Sequence, residues 1–196
     1  MKLLEAVKKG AESKGANVEM VDLFNLGFKG CGSCLQCKKI GAPAKCYQKD
    51  NLSPYLEKIH ECDGFAIGTP VYMGNFSSTF YAFLERLIYS NTRYEIGERH
   101  LKLSKRIPTG LLISLGADLE TYKNVYTKTL GHNADLLSNV FGPCTTVANV
   151  SQALVPDAKP YEMGMFNMDK IHKWVKDHDP IVLKQAFDLG VKLATK

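Results

Sequence analysis

Apolar positions recur along this chain in two rhythms. Leu3, Leu4, Val7 and Ala11 share one helical face, and the pattern runs out near Gly15, which predicts an opening helix. Residues 17–23 then alternate in the manner of a short strand. Ser53-Pro54 offers an N-cap followed by proline at the first helical position, and Leu56, Ile59 and Cys62 form the stripe of a second helix. Residues 64–68 are apolar on both faces, as a buried parallel strand is, and Thr69-Pro70 is expected to end it because proline cannot donate to a ladder. Ser77 caps a third helix with Phe80, Leu84 and Leu87 inward. Residues 111–114 read as another buried strand, 119–130 and 134–140 as two helices, and 144–150 as a last strand. Val182, Ala186, Leu189 and Leu193 define a closing helix.

Strands alternating with helices specify an α/β fold, a doubly wound parallel sheet covered on both faces and joined by right-handed crossovers. Such sheets bind ligands at the carboxyl ends of their strands. Those ends carry two loops here, residues 69–76 and 114–118. One domain over residues 1–196 is expected, with a Cys-rich loop at 30–47 and an irregular excursion at 151–179; no internal repeat or low-complexity tract is visible.

Composition narrows the class. Apolar residues make up 45% and charged residues 23%, which excludes collagen-like and wholly disordered chains. Apolar runs fall short of the ~18 residues a membrane helix needs, and Glu5, Lys8 and Lys9 interrupt what a signal peptide would keep apolar. A cytoplasmic protein with no membrane partner is expected. The net charge of +5 is scattered, apart from Arg99, Lys102, Lys105 and Arg106; a solvated connector explains that cluster, and no nucleic-acid partner is expected.

The cysteines carry the densest chemical signal. Cys31, Cys34, Cys37 and Cys46 read C-x2-C-x2-C-x8-C. Reduced thiols at this density suit a cubane iron-sulfur cluster or zinc, and the overlapping C-x2-C-x2-C is the cluster pattern, whereas structural zinc sites pair two separated units. Uncoordinated thiols are the rival reading. Lys38 and Lys39 could raise the potential of a nearby cluster, or simply be solvated. Cys62 and Cys144 read as inert packing residues and the five histidines as structural or surface groups. Asp118 is either an N-cap or a ligand contact.

Gly30-Cys31-Gly-Ser-Cys34-Leu-Gln-Cys37-Lys38, then Gly68-Thr-Pro-Val-Tyr-Met-Gly74, then Phe83-Leu-Glu-Arg86 resembles the flavodoxin-like NAD(P)H-dependent FMN reductases, and more narrowly their iron-sulfur flavoprotein branch. The resemblance implies a five-stranded sheet in the order 2-1-3-4-5 with FMN at the switch point. It assigns the isoalloxazine edge to Thr69, Pro70, Val71, Tyr72, Gly74, Asn75 and Phe76, and a second ring contact to Ser114 and Gly116. A 4Fe-4S cluster on Cys31, Cys34, Cys37 and Cys46, NAD(P)H as hydride donor, a small-molecule or protein electron acceptor, and a homodimer or higher homo-oligomer are also implied. Relatives place an apolar strand and a phosphate-cradling loop before the first helix. Neither precedes it here, so a flavodoxin-like fold without its first, central strand is expected. A non-catalytic module that keeps the cysteine loop but cannot retain FMN is the alternative.

Overall fold

The computed structural model describes residues 1–95, 101–152, 155, 157 and 159–195. Three parallel strands form the sheet: β1 (Phe65–Tyr72), β3 (Thr109–Ser114) and β4 (Cys144–Asn149); β2 (Asn75–Phe76) folds back on β1, giving the order β2-β1-β3-β4. The register sets Phe65 beside Thr109 and Thr109 beside Cys144, and ends with Pro70 beside Ser114 and Ser114 beside Asn149.

Two apolar layers clothe the sheet. On one side α1 (Lys2–Glu12) and α6 (Met168–Ala194) pack Val7, Ala186 and Leu189 against Leu112 and Val147. Gly10 and Gly190 let these helices touch backbone to backbone, since a Cβ on either would come within 2.0 Å of a carbonyl oxygen of the other helix. The larger layer unites α2 (Ser53–Ile59), α3 (Ser78–Asn91) and α5 (Thr127–Val140) through Leu56, Phe80, Leu84, Leu87, Leu137 and Phe141 around Leu111 and Ile113.

The α/β class stands, with several elements redrawn. Residues 17–23 form no strand, Leu23 already standing in a turn, and they join no ladder: β1 offers its outer edge only to β2, at Val71 and Tyr72. β1 does not stop at Thr69-Pro70 but runs to Tyr72. Phe65 donates its N–H toward β3, to the Pro108 carbonyl, so the odd positions face β3 and the even ones the open edge. The N–H that Pro70 lacks therefore belongs to the edge side, where no β3 bond is lost. Met73 and Gly74 (φ 50° and 82°) close the β1–β2 hairpin with the positive φ pair that a two-residue primed turn requires.

Ser53 lies inside α2 and does not cap it: the cap position is Leu52, while the Ser53 hydroxyl joins the Gln48 carbonyl to the Asp50 N–H. The two helices expected at 119–130 and 134–140 are one continuous run, α4 (Leu119–Thr121), a π turn (Tyr122–Tyr126) and α5. The irregular excursion ends twelve residues early, because α6 begins at Met168 and passes through Pro180. Met168, Ile171, Trp174 and Val175 already recur at helical spacing on its less exposed side, so the apolar stripe begins well before the proline.

Candidate functional site

α3 organises the cysteine loop. Glu85 Oε2 accepts the Cys31 N–H at 3.0 Å. Arg86, the next residue, has a side chain with no exposure. Its Nε donates to Cys46 Sγ at 3.4 Å, Nη1 to the Lys29 carbonyl at 3.1 Å and Asp50 Oδ2 at 2.5 Å, and Nη2 to the Gln48 carbonyl at 3.1 Å. Adjacent side chains of one helix thus tie down both ends of a loop that the chain enters at Gly30 and leaves at Cys46.

The loop's middle is held by two ammonium groups. Lys38 Nζ donates to the carbonyls of Tyr89 (2.5 Å) and Thr92 (2.7 Å) at the end of α3, where a cation complements the helix dipole, and lies 4.0 Å from the Tyr89 ring centroid. Lys102 Nζ donates to the carbonyls of Cys37, Ala42 (3.0 Å) and Pro43 (3.2 Å). Lys39 is exposed and has no such part. Ser33 and Leu35, on either side of Cys34, both take left-handed φ (52° and 57°), a backbone that non-glycine residues hold only where surrounding contacts impose it.

Cys31, Cys34, Cys37 and Cys46 all line one cavity, walled further by Gln48, Arg86 and Tyr89. Among the described residues no three His, Cys, Asp or Glu side chains converge tightly enough to hold a single ion as they stand. An all-sulfur donor set of this kind is one that either an iron-sulfur cluster or zinc takes. Burial pushes the Cys37 thiol up, against the opposing pull of the Lys38 and Lys102 charges. Burial would also raise the Asp50 carboxyl, but the Arg86 hydrogen bond and charge prevail and hold it below the usual carboxylate value.

The strand tips stand apart from this cavity. Pro70 and Ser114 are register partners, so the 69–76 and 114–118 segments leave neighbouring strands at one end of the sheet. Thr69 is buried, and its hydroxyl accepts the Ser77 N–H at 3.4 Å; Phe76 is buried against Phe80. Tyr72 is 64% exposed, Met73 98%, and a Cβ at Gly74 would meet nothing within 4 Å. Asn75 and Gly116 are exposed, Val71 and Ser114 half-buried. Asp118 accepts the Thr121 N–H at 2.8 Å and so caps α4. Beside the hairpin, Leu23, Phe24, Gly27 and Phe28 form a cleft with Ser78, Thr79 and Ala82 at the start of α3.

The basic cluster disperses. Lys105 donates to the Cys62 carbonyl, and Arg106 to the Ser138 and Asn139 carbonyls at the end of α5, while Arg99 lies outside the described residues. Sequence reading missed the roles of Glu85, Arg86, Lys102 and Asp50. One signal was available: Arg86 follows Phe83 by three positions and sits between Leu84 and Leu87, a charge inside an apolar stripe.

A family model described as NADPH-dependent FMN reductase matches residues 1–106, more than half of the chain. Among curated proteins, an iron-sulfur flavoprotein of Archaeoglobus fulgidus is 37% identical over 73 residues (37% of this chain, 34% of that protein). Another from Methanocaldococcus jannaschii is 28% identical over 124 residues (61% of this chain, 56% of that protein). The chain spans about a third of the length of the first of these relatives. Among solved structures, an NAD(P)H:quinone oxidoreductase from Methanothermobacter marburgensis superposes with TM-score 0.62 at 17% identity, covering 100% of this chain and 89% of that one. An azoreductase from Bacillus anthracis superposes with TM-score 0.60 at 16% identity, covering 98% and 89%. Both share the flavodoxin-like fold of this chain.

Proposed function

This chain belongs to the NADPH-dependent FMN reductase family, and from that premise we propose that it is an FMN-dependent NAD(P)H oxidoreductase or electron-transfer flavoprotein whose Cys31, Cys34, Cys37 and Cys46 hold a 4Fe-4S cluster. The observation that carries this reading is the shared cavity: four cysteines from a strained, doubly anchored loop line one space with no carboxylate or imidazole among its walls. The names of the curated relatives, iron-sulfur flavoproteins, support it. When bound, FMN supplies hydride acceptance from a reduced nicotinamide, and the cluster supplies one-electron transfer.

The protein's own part is positioning. Thr69, Pro70, Val71, Tyr72, Gly74, Asn75 and Phe76 present backbone and one aromatic ring to the flavin edge, and Gly74, with open space around its α-carbon, admits close approach. Ser114 and Gly116 supply the facing wall from the neighbouring strand, which the Pro70–Ser114 register brings alongside. No side chain acts as acid or base. The electron acceptor is a small molecule or a protein. The exposed Tyr72 and Met73 at the hairpin tip suit cover by a second copy, in a homodimer or higher homo-oligomer.

Anaerobic purification with iron and sulfide reconstitution tests the reading. Flavin bands, a broad charge-transfer band, about four iron atoms per chain and bleaching by NAD(P)H are expected. A colourless protein, or one that binds zinc alone, overturns it in favour of a non-catalytic metal-binding module. Among the described residues no helix is long and apolar enough to cross a membrane.

A further inference from the structure

We infer that Arg86 is a positioning residue for the cysteine centre, holding Cys46 against the cavity wall through its Nε–H and biasing the centre toward its reduced form. The inference rests on the cluster reading above and adds a residue that reading does not require. Arg86 has no exposed side-chain surface, so its charge acts without solvent screening. Its donors divide between two kinds of acceptor, oxygen and sulfur. Nη1 and Nη2 hold the guanidinium to Asp50 and to the Lys29 and Gln48 carbonyls, which fixes the plane; Nε donates to Cys46 Sγ, 3.4 Å off.

A guanidinium bound only for structure has no need of a sulfur acceptor, whereas N–H groups aimed at ligand sulfurs are one of the means by which proteins set cluster potentials. One-electron reduction makes and breaks no covalent bond here. It raises the negative charge on the sulfurs, and the Nε–H and the buried cation both favour the more negative state. Asp50 offsets part of that cation, so the two residues push the potential in opposite directions.

The test is an EPR-monitored redox titration of the reconstituted protein, with dithionite as reductant, on the parent chain, Arg86→Lys and Asp50→Asn. Arg86→Lys keeps a charge and loses the Nε donor; the reduced-to-oxidised ratio at fixed ambient potential is expected to fall at least tenfold, a downward shift of about 59 mV for a one-electron couple. Asp50→Asn leaves Arg86 its three other acceptors and is expected to shift the potential upward. In resonance Raman spectra, the iron–cysteine stretch that moves on transfer to D2O in the parent is expected to lose that sensitivity in Arg86→Lys. Unchanged potentials in cluster-loaded variants overturn the inference and leave the cluster reading standing. If Arg86→Lys does not fold, Asp50→Asn decides alone: an unchanged or lowered potential overturns it. A parent protein that takes up no cluster overturns both readings, and is told apart by the missing signal before any variant is compared.

Discussion

Replacing Gly190 with alanine puts the two oldest rules of helix energetics in conflict at one atom. In an exposed helix the change is favourable by about 1 kcal/mol, because alanine loses less backbone entropy on folding. At the α1–α6 crossing a Cβ on Gly190 would lie 2.0 Å from the Val7 carbonyl oxygen, 2.8 Å from its carbon and 2.9 Å from the Ala11 nitrogen, whereas ordinary contact begins at 3.4 Å. All three atoms are backbone, so no rotamer relieves the clash, and the helices must separate by roughly the missing ångström or more. That lifts Val7, Ala186 and Leu189 off Leu112 and Val147. Overpacking of this kind costs about 1–3 kcal/mol, and a rigid double-backbone contact belongs at the upper end, so a net loss of about 2 kcal/mol is expected after the propensity gain. For a chain of this size that lowers the melting temperature by roughly 4–8 °C. Gly10→Ala, 2.0 Å from the Phe187 carbonyl oxygen, acts on the same crossing, so the double variant should lose less than the sum of the two. Urea denaturation followed by circular dichroism measures all three. Equal or greater stability in Gly190→Ala refutes the close-contact account, and strict additivity refutes the shared crossing.

Three further outcomes follow from single contacts. Ser77→Ala removes the acceptor of the Phe80 N–H and is expected to cost α3 about 1 kcal/mol, read as a lower urea midpoint with unchanged slope. Asp118→Ala should cost a similar amount through the lost α4 cap while leaving the flavin content of purified protein unaltered; a loss of flavin with stability intact would reassign Asp118 to ligand contact. The Asp50 carboxyl is held below 3.8 in the folded chain, so its contribution is complete above that value and lost as the pH falls through the depressed folded value. Acid titration of stability should therefore be shallower below about pH 4 in Asp50→Asn than in the parent, and parallel curves would contradict the pairing.

What could be read from the sequence divides along the reach of each signal. Phe80, Leu84 and Leu87 fall inward as their spacing requires, because an apolar stripe is a local property of one helix. Ser77 and its accepted N–H three residues on are legible for the same reason. Residues 17–23 misled because alternation specifies which side chains turn inward and says nothing of whether another strand lies alongside; ladder bonds belong to two segments at once. Pro70 misled in the opposite sense, since its missing donor matters only on the side that faces a partner, and that side is set by the register with β3. The four cysteines were visible as a group, yet the residues that hold them, Glu85, Arg86 and Lys102, come from 39 to 71 positions away from the nearest and farthest of those thiols.

These separate contacts make α3 the element that connects the strand-tip segments with the cysteine loop. Its N-terminal residue Ser78 borders the cleft beside the hairpin, and the preceding Ser77 links it to Thr69 on β1. Two turns further, Glu85 and Arg86 grip the cysteine loop, and the helix's last carbonyls accept Lys38. At 1.5 Å per residue the eight steps from Ser78 to Arg86 span about 12 Å. A rigid rod of that length fixes the separation of the strand-tip loops from the thiols, because Phe80, Phe83, Leu84 and Leu87 bury its other face and leave it no freedom to slide. Any change that melts the start of α3 must then disturb the cysteine loop as well.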